Sequence, residues 1–304
     1  HQRYGEAHAE VNCINNAVQN GRADVIAQST LYVSLEPCAH FGKTPPCTDL
    51  IILYQIPKVV IGCTDPFAAV NGKGIEKLKA AGAEVVLDVL KDECEELNKQ
   101  FFAFHQKRRP YIILKWAQTK NQFIGNKSAE RLLITNEFTN RLVHQWRSEE
   151  ASILVGTNTA LMDNPQLTNR YVDGKQPVRL VLDKELKLPS AAHLMSTDAP
   201  TIIFNCHKHQ DKGQPRYYQI QNNVSVVQEM CNALYELKLQ SVLVEGGAQL
   251  LQSFIDENLW DESRIITNEE LIVDDGLPSP QLKDCKLIRE QKIVSDIVSF
   301  YKNI

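Results

Sequence analysis

Along the first hundred residues of the chain, short apolar runs alternate with segments whose apolar positions follow a helical period. Short apolar runs rich in valine and isoleucine predict buried strands. These runs are LYVSL at 31–35, KVVIG at 58–62 and AEVVL at 83–87. Between them the apolar positions follow a helical period, which predicts helices at 9–19, 48–54, 74–82 and 91–106. Strands that alternate with helices favour an α/β fold with a largely parallel sheet.

A second series of the same kind follows a charged stretch that ends in proline, QKRRP at 106–110. Such a stretch is typical of a domain boundary, so we predict one domain at 1–105 and another at 109–304. Strands are predicted at YIILKWA (111–117), ASILVG (151–156), VRLVLD (178–183), TIIFN (201–205) and SVLVE (241–245). Helices are predicted at 136–149, with Thr135 as N-cap, and at 247–257.

Composition and charge argue against a nucleic-acid-binding protein, a membrane-spanning protein and a short disulfide-rich secreted protein. The formal net charge is −4, and a protein that binds nucleic acid would usually carry a basic surplus. No run of eighteen apolar residues predicts a membrane span. The eight cysteines do not form the framework of a short secreted chain, which favours a reducing cytoplasm. Because the chain begins at His1 without a methionine, we expect further residues upstream.

The strongest chemical signal combines HAE at 8–10 with EPCAHFGKTPPC at 36–47. Zinc prefers thiolate and imidazole ligands, and three protein ligands with one open position are typical of catalytic zinc. His8, Cys38 and Cys47 supply such a set, and Glu10 can carry a proton between water and a leaving amine. The pattern H-x-E followed by P-C-x-x-C belongs to zinc deaminases, although here the second cysteine stands at 47 and not at 41.

Two other interpretations of these residues remain open. The site could be a closed structural zinc site with His40 as the fourth ligand, or Cys38 and Cys47 could be unrelated buried thiols. The combination of H-x-E, P-C and a following helix favours the catalytic site. His40 itself either contacts substrate or is a solvent-exposed loop residue.

Together these motifs resemble the deaminase half of the bifunctional deaminase/reductases of riboflavin biosynthesis. The resemblance implies a cytidine-deaminase-like α/β/α domain with His8, Cys38 and Cys47 as zinc ligands and Glu10 as proton shuttle. It implies a diaminopyrimidinone substrate that carries ribosylamine 5′-phosphate. Lys43 and Thr44 could bind that phosphate, although Lys43 could equally be an exposed loop lysine. The helix and strands that precede HAE in this family are expected upstream of His1.

Two segments of the second half carry β–α turns suited to anions. ILVGTNTALMDNPQLTNR at 153–170 turns through glycine into a short helix, and Arg147 and Arg170 flank it. VEGGAQLL at 244–251 places a glycine pair between a strand and a helix, which lets backbone approach a pyrophosphate closely. A tight β–α turn without a ligand is the alternative for the glycine pair.

These segments resemble the reductase half of the same family, whose fold is similar to dihydrofolate reductase and which uses NADPH. The resemblance implies that the ribosyl ring is opened to ribityl, with Lys115 polarising the substrate. The matching substrate positions are Arg131, Arg147, Leu167, Arg170 and Glu245. The matching cofactor positions are Ala117, Leu133, Thr159, Asp163, Gly247, Ala248, Gln249, Leu250, Leu251, Gln252 and Ser253. Asp163 could instead be an N-cap or turn aspartate, and Glu245 a strand-end carboxylate.

The sequence therefore predicts a two-domain cytoplasmic enzyme that uses Zn²⁺ and NADPH. It is expected to act on a small pyrimidine ribosyl phosphate, without nucleic acid or membrane, as a homodimer formed through the reductase domain. Three alternatives stand beside this one. They are a reductase with a silent deaminase, a deaminase of nucleic-acid bases, and a zinc-stabilised scaffold without activity.

Overall fold

The computed structural model divides the chain into two compact units, His1–Lys107 and Arg108–Ile304. The structure describes residues 6–42, 44–67, 70–126, 132–221 and 224–304. Two of the predicted substrate contacts, Lys43 and Arg131, lie outside the described residues. Each unit contains its own sheet and its own buried core, as expected for two domains of this length.

The first unit is a parallel sheet of three strands in the order β1-β2-β3, packed against helices. Its elements are α1 (Ala9–Gln19), α2 (Ala23–Ile26), β1 (Thr30–Leu35), α3 (Cys47–Leu53), β2 (Lys58–Cys63), α4 (Lys73–Ala80), β3 (Glu84–Val86), α5 (Lys91–Leu97) and α6 (Lys99–Lys107). Val59 and Ile61 of the central strand are fully buried and belong to one apolar cluster with Ile51 of α3 and Leu78 of α4. This core holds the carboxyl ends of β1 and β2 side by side.

The predicted single helix over 91–106 is wrong, because the chain breaks into α5 and α6 at Asn98. The side-chain amide of Asn98 donates a hydrogen bond of 2.8 Å to the carbonyl of Cys94. A short amide side chain that bonds to the preceding turn offers that turn an alternative to the helical hydrogen-bond pattern. The predicted strands and the other predicted helices of this unit are confirmed to within one or two residues at their ends.

The second unit is built on a nine-stranded sheet in the order β13-β14-β11-β4-β10-β6-β7-β8-β9. Its elements are β4 (Tyr111–Gln118), β5 (Phe123–Asn126), α7 (Glu137–Glu149), β6 (Ser152–Gly156), α8 (Thr157–Asp163), β7 (Val178–Leu182), a 3-10 helix (His193–Met195), β8 (Thr201–Asn205), β9 (Arg216–Gln219), α9 (Val226–Glu236), β10 (Ser241–Gly246), α10 (Ala248–Asp256), β11 (Glu262–Asn268), β12 (Gly276–Pro278), β13 (Cys285–Ile293) and β14 (Asp296–Asn303). Strands from β11 across to β9 are parallel, whereas β13 and β14 are antiparallel additions at one edge. The parallel strands therefore share one carboxyl edge, where open α/β sheets bind ligands.

Helix α7 begins one residue later than predicted, and its N-cap is Asn136 and not Thr135. The Asn136 side-chain oxygen accepts the backbone N–H groups of Phe138 and Thr139, each at 3.0 Å, and its amide donates to the carbonyl of Ile293 at 2.8 Å. Asparagine satisfies the orphan amides of a first turn as well as threonine does, and here it also ties the helix to the end of β13. In the described part of the chain, no helix is long and apolar enough to cross a membrane.

Candidate functional sites

Three predicted ligands meet at the carboxyl edge of the first sheet. His8 is the residue before α1, Cys38 follows β1 closely, and Cys47 is the first residue of α3. The His8 Nδ1 atom lies 3.6 Å from the Cys38 sulfur and 3.3 Å from the Cys47 sulfur. In a tetrahedral zinc site with ordinary bond lengths, a nitrogen and a sulfur ligand are separated by about 3.5 Å. The spacing and the donor set therefore fit Zn²⁺, and His40 is not part of the cluster found among the described residues.

The contact between Cys38 and Cys47 shifts the pKa values of their two thiols in opposite directions. The Cys47 side chain and its backbone N–H, which lies 3.3 Å from the Cys38 sulfur, point at Cys38. This hydrogen bonding from Cys47 lowers the pKa of Cys38 to about 6, although partial burial opposes the shift. The hydrogen bond to Cys38 and burial raise the pKa of Cys47. One sulfur is thus readily available as a thiolate, the form that binds metal.

The proton shuttle predicted beside the metal ligands also lies at this centre. Glu10 is half-buried in the first turn of α1, and a hydrogen bond between its carboxylate and the Cys47 thiol contributes to the raised pKa of that thiol. His40 packs edge-on against Phe67 with ring centroids 5.9 Å apart, and its buried Nδ1 has no hydrogen-bond partner. Thr44 is half-buried in the same loop. A carboxylate and an unsatisfied imidazole nitrogen thus accompany the three ligands.

The carboxylate of Glu36, which the sequence analysis did not single out, accepts four backbone N–H groups at and before the start of α4. Its Oε1 accepts the backbone N–H groups of Gly74 and Ile75 at 2.9 and 3.3 Å. Its Oε2 accepts those of Asp65 and Gly72 at 3.2 and 2.9 Å. The carboxylate therefore caps the start of α4 and joins it and Asp65 to the end of β1, two residues before Cys38. Its position at the end of β1, directly before Pro-Cys, is the signal that could have identified it.

Helix α4 approaches the Cys38 turn so closely that only glycine fits at one position. A Cβ atom on Gly74 would lie 2.1 Å from the carbonyl oxygen of Pro37 and 3.1 Å from the Glu36 carboxylate. Nearby Asp65 is buried, and burial raises the pKa of its carboxyl to about 6. The close approach of Gly74 to Pro37, together with Glu36, thus holds the start of α4 against the turn that carries Cys38.

Replacing Glu36 with alanine is expected to loosen the start of α4 and to destabilise the first unit by about 3 kcal/mol. The reason is that four backbone N–H groups lose the carboxylate to which all of them donate. All three tryptophans lie in the second unit, so fluorescence does not report on this change. We would instead measure amide hydrogen exchange over residues 64–75. Glu76→Ala, on the exposed face of α4, is the control. Unchanged protection in the Glu36 variant would contradict the capping role.

In the second unit, three predicted residues form one buried charge cluster. Glu245 lies in β10 and Lys115 in the neighbouring β4, while Arg147 reaches the same point from α7. Arg147 binds Glu245 in a two-pronged ion pair with N–O distances of 2.8 and 2.7 Å. The Lys115 Nζ atom lies 3.8 Å from the same Glu245 carboxylate. Two cations and one anion thus share a site at the carboxyl edge of the sheet.

The ionisation of this cluster follows from its burial. Burial lowers the pKa of Lys115, and the neighbouring Arg147 lowers it further, although Glu245 opposes both. Burial alone would raise the pKa of Glu245, but Arg147 and Lys115 outweigh it and bring the value to about 2. Glu245 is therefore a permanent anion, and Lys115 is the member of the cluster that releases a proton most readily.

The segment that carries Leu167 and Arg170 lies against α7. Leu167 is buried, with a positive φ of 54°. Arg147 donates to the carbonyl of Thr168 at 3.4 Å, while the backbone N–H of Arg170 donates to the His144 Nδ1 atom at 3.0 Å. The Arg170 side chain is exposed and bonds to the Gln166 side chain. His144 was not predicted, although its position three residues before Arg147 places both on one helix face.

The glycine pair after β10 packs against the turn after β6. A Cβ atom on Gly246 would lie 3.3 Å from the Thr159 hydroxyl, and one on Gly247 would lie 3.1 Å from it. Gly246 has a φ of 152°, which disfavours other residues. Gly247 precedes α10 without a side-chain cap, so the first amides of this helix have no intrahelical acceptor and suit a phosphate. Gly247 and Thr159, both predicted as cofactor contacts, are thus brought together.

The other predicted cofactor positions differ in whether their backbone amides or their side chains are available to a ligand. Ala248, Gln249 and Leu250 supply amides of the first turn of α10, whereas the side chains of Leu250 and Leu251 are buried in the core. Gln252 and Ser253 form hydrogen bonds within the helix, to Asp256 and to the carbonyl of Gln249. Ala117 lies in β4 and Asp163 ends α8. Leu133 is 75% exposed.

Comparison with known proteins gives two family matches in the same order as the two units. The profile described as RibD C-terminal domain matches residues 110–272. The profile described as cytidine and deoxycytidylate deaminase zinc-binding region matches residues 1–63. Riboflavin biosynthesis protein RibD of Aquifex aeolicus is 36% identical over an alignment of 316 positions, which covers 99% of this chain and 87% of that protein.

Solved structures of similar proteins share the complete fold. A diaminohydroxyphosphoribosylaminopyrimidine deaminase/5-amino-6-(5-phosphoribosylamino)uracil reductase from Thermotoga maritima superposes with a TM-score of 0.89 at 32% identity, covering 100% of this chain and 87% of that one. RibD of Acinetobacter baumannii superposes with a TM-score of 0.88 at 27% identity, covering 99% and 87%.

These matches confirm the predicted α/β fold, with a deaminase domain followed by a reductase domain, and the predicted cofactors Zn²⁺ and NADPH. The cluster of His8, Cys38 and Cys47 falls in the matched zinc-binding region. Lys115, Arg147 and Glu245 fall in the matched reductase domain. The chain belongs to the RibD family of riboflavin biosynthesis proteins and combines a zinc-dependent deaminase with an NADPH-dependent reductase.

Proposed function

We propose that this chain catalyses two successive steps on one pyrimidine ribosyl phosphate. The first removes an amine hydrolytically from 2,5-diamino-6-ribosylamino-4(3H)-pyrimidinone 5′-phosphate. The second reduces the ribosyl group to ribityl and gives 5-amino-6-ribitylaminouracil 5′-phosphate. The observation that carries this proposal is the pairing, on one chain, of a zinc-compatible cluster with a buried Lys115–Glu245–Arg147 cluster. The activity named for the similar Thermotoga maritima structure supports the same substrate.

In the deaminase unit, His8, Cys38 and Cys47 would hold the zinc ion. When bound, zinc makes water acidic enough to act as hydroxide at neutral pH. Glu10 accepts the proton that the attacking water loses and delivers it to the departing amine, so that ammonia leaves as a carbonyl forms. The unpartnered Nδ1 of His40 orients the substrate, and Lys43 and Thr44 are assigned to its phosphate.

In the reductase unit, NADPH supplies the hydride when bound, and the amides at the start of α10 would hold one of its phosphates. Lys115 donates the proton that the sugar oxygen needs when the ribosyl ring opens, and its lowered pKa favours that donation. Glu245 fixes Lys115 electrostatically and is itself fixed by Arg147. Because Arg147 is engaged by Glu245, the exposed Arg170 is the guanidinium better placed for the substrate phosphate.

The assembly is proposed to be a cytoplasmic homodimer formed through the reductase unit. The edge strand β13 supports this arrangement, since Leu287 and Ile288 are 45% and 49% exposed there. All eight cysteines, each within the described residues, are free thiols, which suits a reducing compartment.

Zinc removal tests the two halves separately. After chelation, we expect deamination to disappear, whereas reduction of added deaminated substrate should stay within about twofold, because the zinc ligands and the reductase residues lie in different units. Products would be identified by mass spectrometry with NADPH present. Restored zinc should rescue the unmodified chain but not Cys47→Ser, and Cys13→Ser, at an exposed position of α1, is the control.

The outcomes separate the alternatives. Reduction without deamination in the zinc-loaded chain would establish a reductase beside a silent deaminase. No turnover of either substrate would overturn the proposed function. Chelation that unfolds the first unit, in a chain that never deaminates, would favour the zinc-stabilised scaffold.

A further inference from the structure

His144 is a buried imidazole that neither the resemblance nor the proposed mechanism uses. We infer that His144 is a positioning residue for the reductase step, whose Nδ1 atom fixes the backbone of Arg170 so that its guanidinium meets the substrate phosphate. This inference rests on the proposed function, because it concerns the substrate of that same site.

His144 projects from α7 toward the segment that carries Leu167 and Arg170. It lies in α7 with 1% of its surface exposed, and its Nδ1 accepts the Arg170 backbone N–H at 3.0 Å. On the same face of α7, Arg147 holds Glu245 and contacts the carbonyl of Thr168. One helix face therefore sets the position of Glu245 through Arg147 and of Arg170 through His144.

The protonation state of His144 supports its role as an acceptor. Burial lowers the pKa of His144 to about 4, and the nearby cations Arg147 and Arg170 contribute to the shift. The imidazole is therefore neutral at pH 7. Only a neutral imidazole has a ring nitrogen that can accept a hydrogen bond, since both nitrogens of the charged form are donors.

The His144 ring also packs against Tyr171, the residue after Arg170. His144 and Tyr171 lie with ring centroids 4.3 Å apart, and the Arg170 guanidinium lies 5.8 Å from the Tyr171 ring. The Arg170 side chain is exposed to solvent. The position from which its guanidinium reaches the substrate is therefore set by the Arg170 backbone. A fixed backbone reduces the ordering that substrate binding must impose, which improves affinity without a new contact.

The test compares two amides that place their oxygen differently. The side-chain oxygen of asparagine can occupy the position of Nδ1, whereas that of glutamine extends toward Nε2. We expect His144→Asn to keep the KM for the deaminated pyrimidine phosphate within about twofold. His144→Gln should raise it about three- to tenfold, as expected for one lost hydrogen bond. The KM for NADPH and the deaminase rate should not change in either variant, and Gln145→Leu, on the exposed face of α7, is the control.

A double-mutant cycle separates positioning from general stability. In a background of Arg170→Ala, His144→Gln should have no further effect on the substrate KM, because the group that it positions is absent. An equal fold-change in both backgrounds, or equal KM values for the asparagine and glutamine variants, would overturn the inference alone. A wild-type chain that reduces no pyrimidine phosphate would overturn the proposed function and this inference with it.

Discussion

Glu10→Gln is expected to slow deamination by about 10³-fold while the reductase rate stays unchanged. Glutamine keeps the size and the hydrogen-bonding ability of the side chain but cannot carry a proton, and general acid–base catalysis contributes about 10²- to 10⁴-fold. Glu10 is assigned both proton transfers of the step, so the loss should lie in the upper part of this range. Zinc content should remain at the wild-type level, since Glu10 is not a member of the ligand cluster found among the described residues.

The measurement uses the reductase as an internal standard. Ammonia release from the diaminopyrimidinone phosphate and NADPH oxidation with the deaminated substrate are followed on the same preparation. Glu93→Gln, at an exposed position of α5, is the control for a lost carboxylate. A Glu10 variant that deaminates at more than a tenth of the wild-type rate would exclude Glu10 as the proton shuttle.

Glu245→Gln is expected to remove most reductase activity and to destabilise the second unit by about 3 kcal/mol. The buried cations Arg147 and Lys115 lose their common counter-ion, and breaking one side of a buried pair costs about 3–5 kcal/mol. The shift of the Glu245 pKa from 4.5 to about 2 gives a similar figure, about 3 kcal/mol at neutral pH. We expect a fall in kcat of about 10²-fold or more, because Lys115 loses the carboxylate that keeps its ammonium group in position.

The stability difference should depend on pH with a defined sign. A carboxylate whose pKa is lowered in the folded protein contributes its full stability above the unfolded value of 4.5 and loses it as the pH falls toward about 2. The gap between wild type and Glu245→Gln should therefore be constant from pH 7 to 5 and should narrow below that. Tryptophan fluorescence during urea unfolding suits this measurement, because all three tryptophans lie in the second unit.

The matched control is Glu270→Gln, an exposed carboxylate in the same unit, which should change neither stability nor rate. Equal stability of wild type and the Glu245 variant across this pH range would show that the buried cluster is not charged as described. A stable variant with full reductase activity would instead remove Glu245 from the mechanism.

The features predicted best from the sequence are those in which local pattern and chemistry agree. The strands at 58–62 and 241–245 are continuous apolar runs because both of their faces are buried, and they lie within one residue of their predicted ends. The grouping of one histidine and two cysteines was predictable because few residue types bind zinc, and these residues follow the order of the zinc-deaminase motif. For the same reason the cluster of His8, Cys38 and Cys47 required no knowledge of the tertiary structure.

The features that escaped prediction depend on partners far away in the chain. Glu36 is one glutamate among many until the fold places the amides of Gly72 and Gly74 around it. His144 follows an ordinary helical pattern, and only the return of the chain at Arg170 gives its Nδ1 a partner. Strand β13 is almost entirely exposed, so its residues lack the apolar alternation by which strands are identified.

The packing of Thr159 against Gly246 and Gly247 links two turns that are far apart in sequence. A side chain added at either glycine would need space that the Thr159 side chain occupies. Evolutionary change at these positions should therefore be coupled. Across related sequences, a side chain in place of Gly247 is expected only together with a smaller residue in place of Thr159.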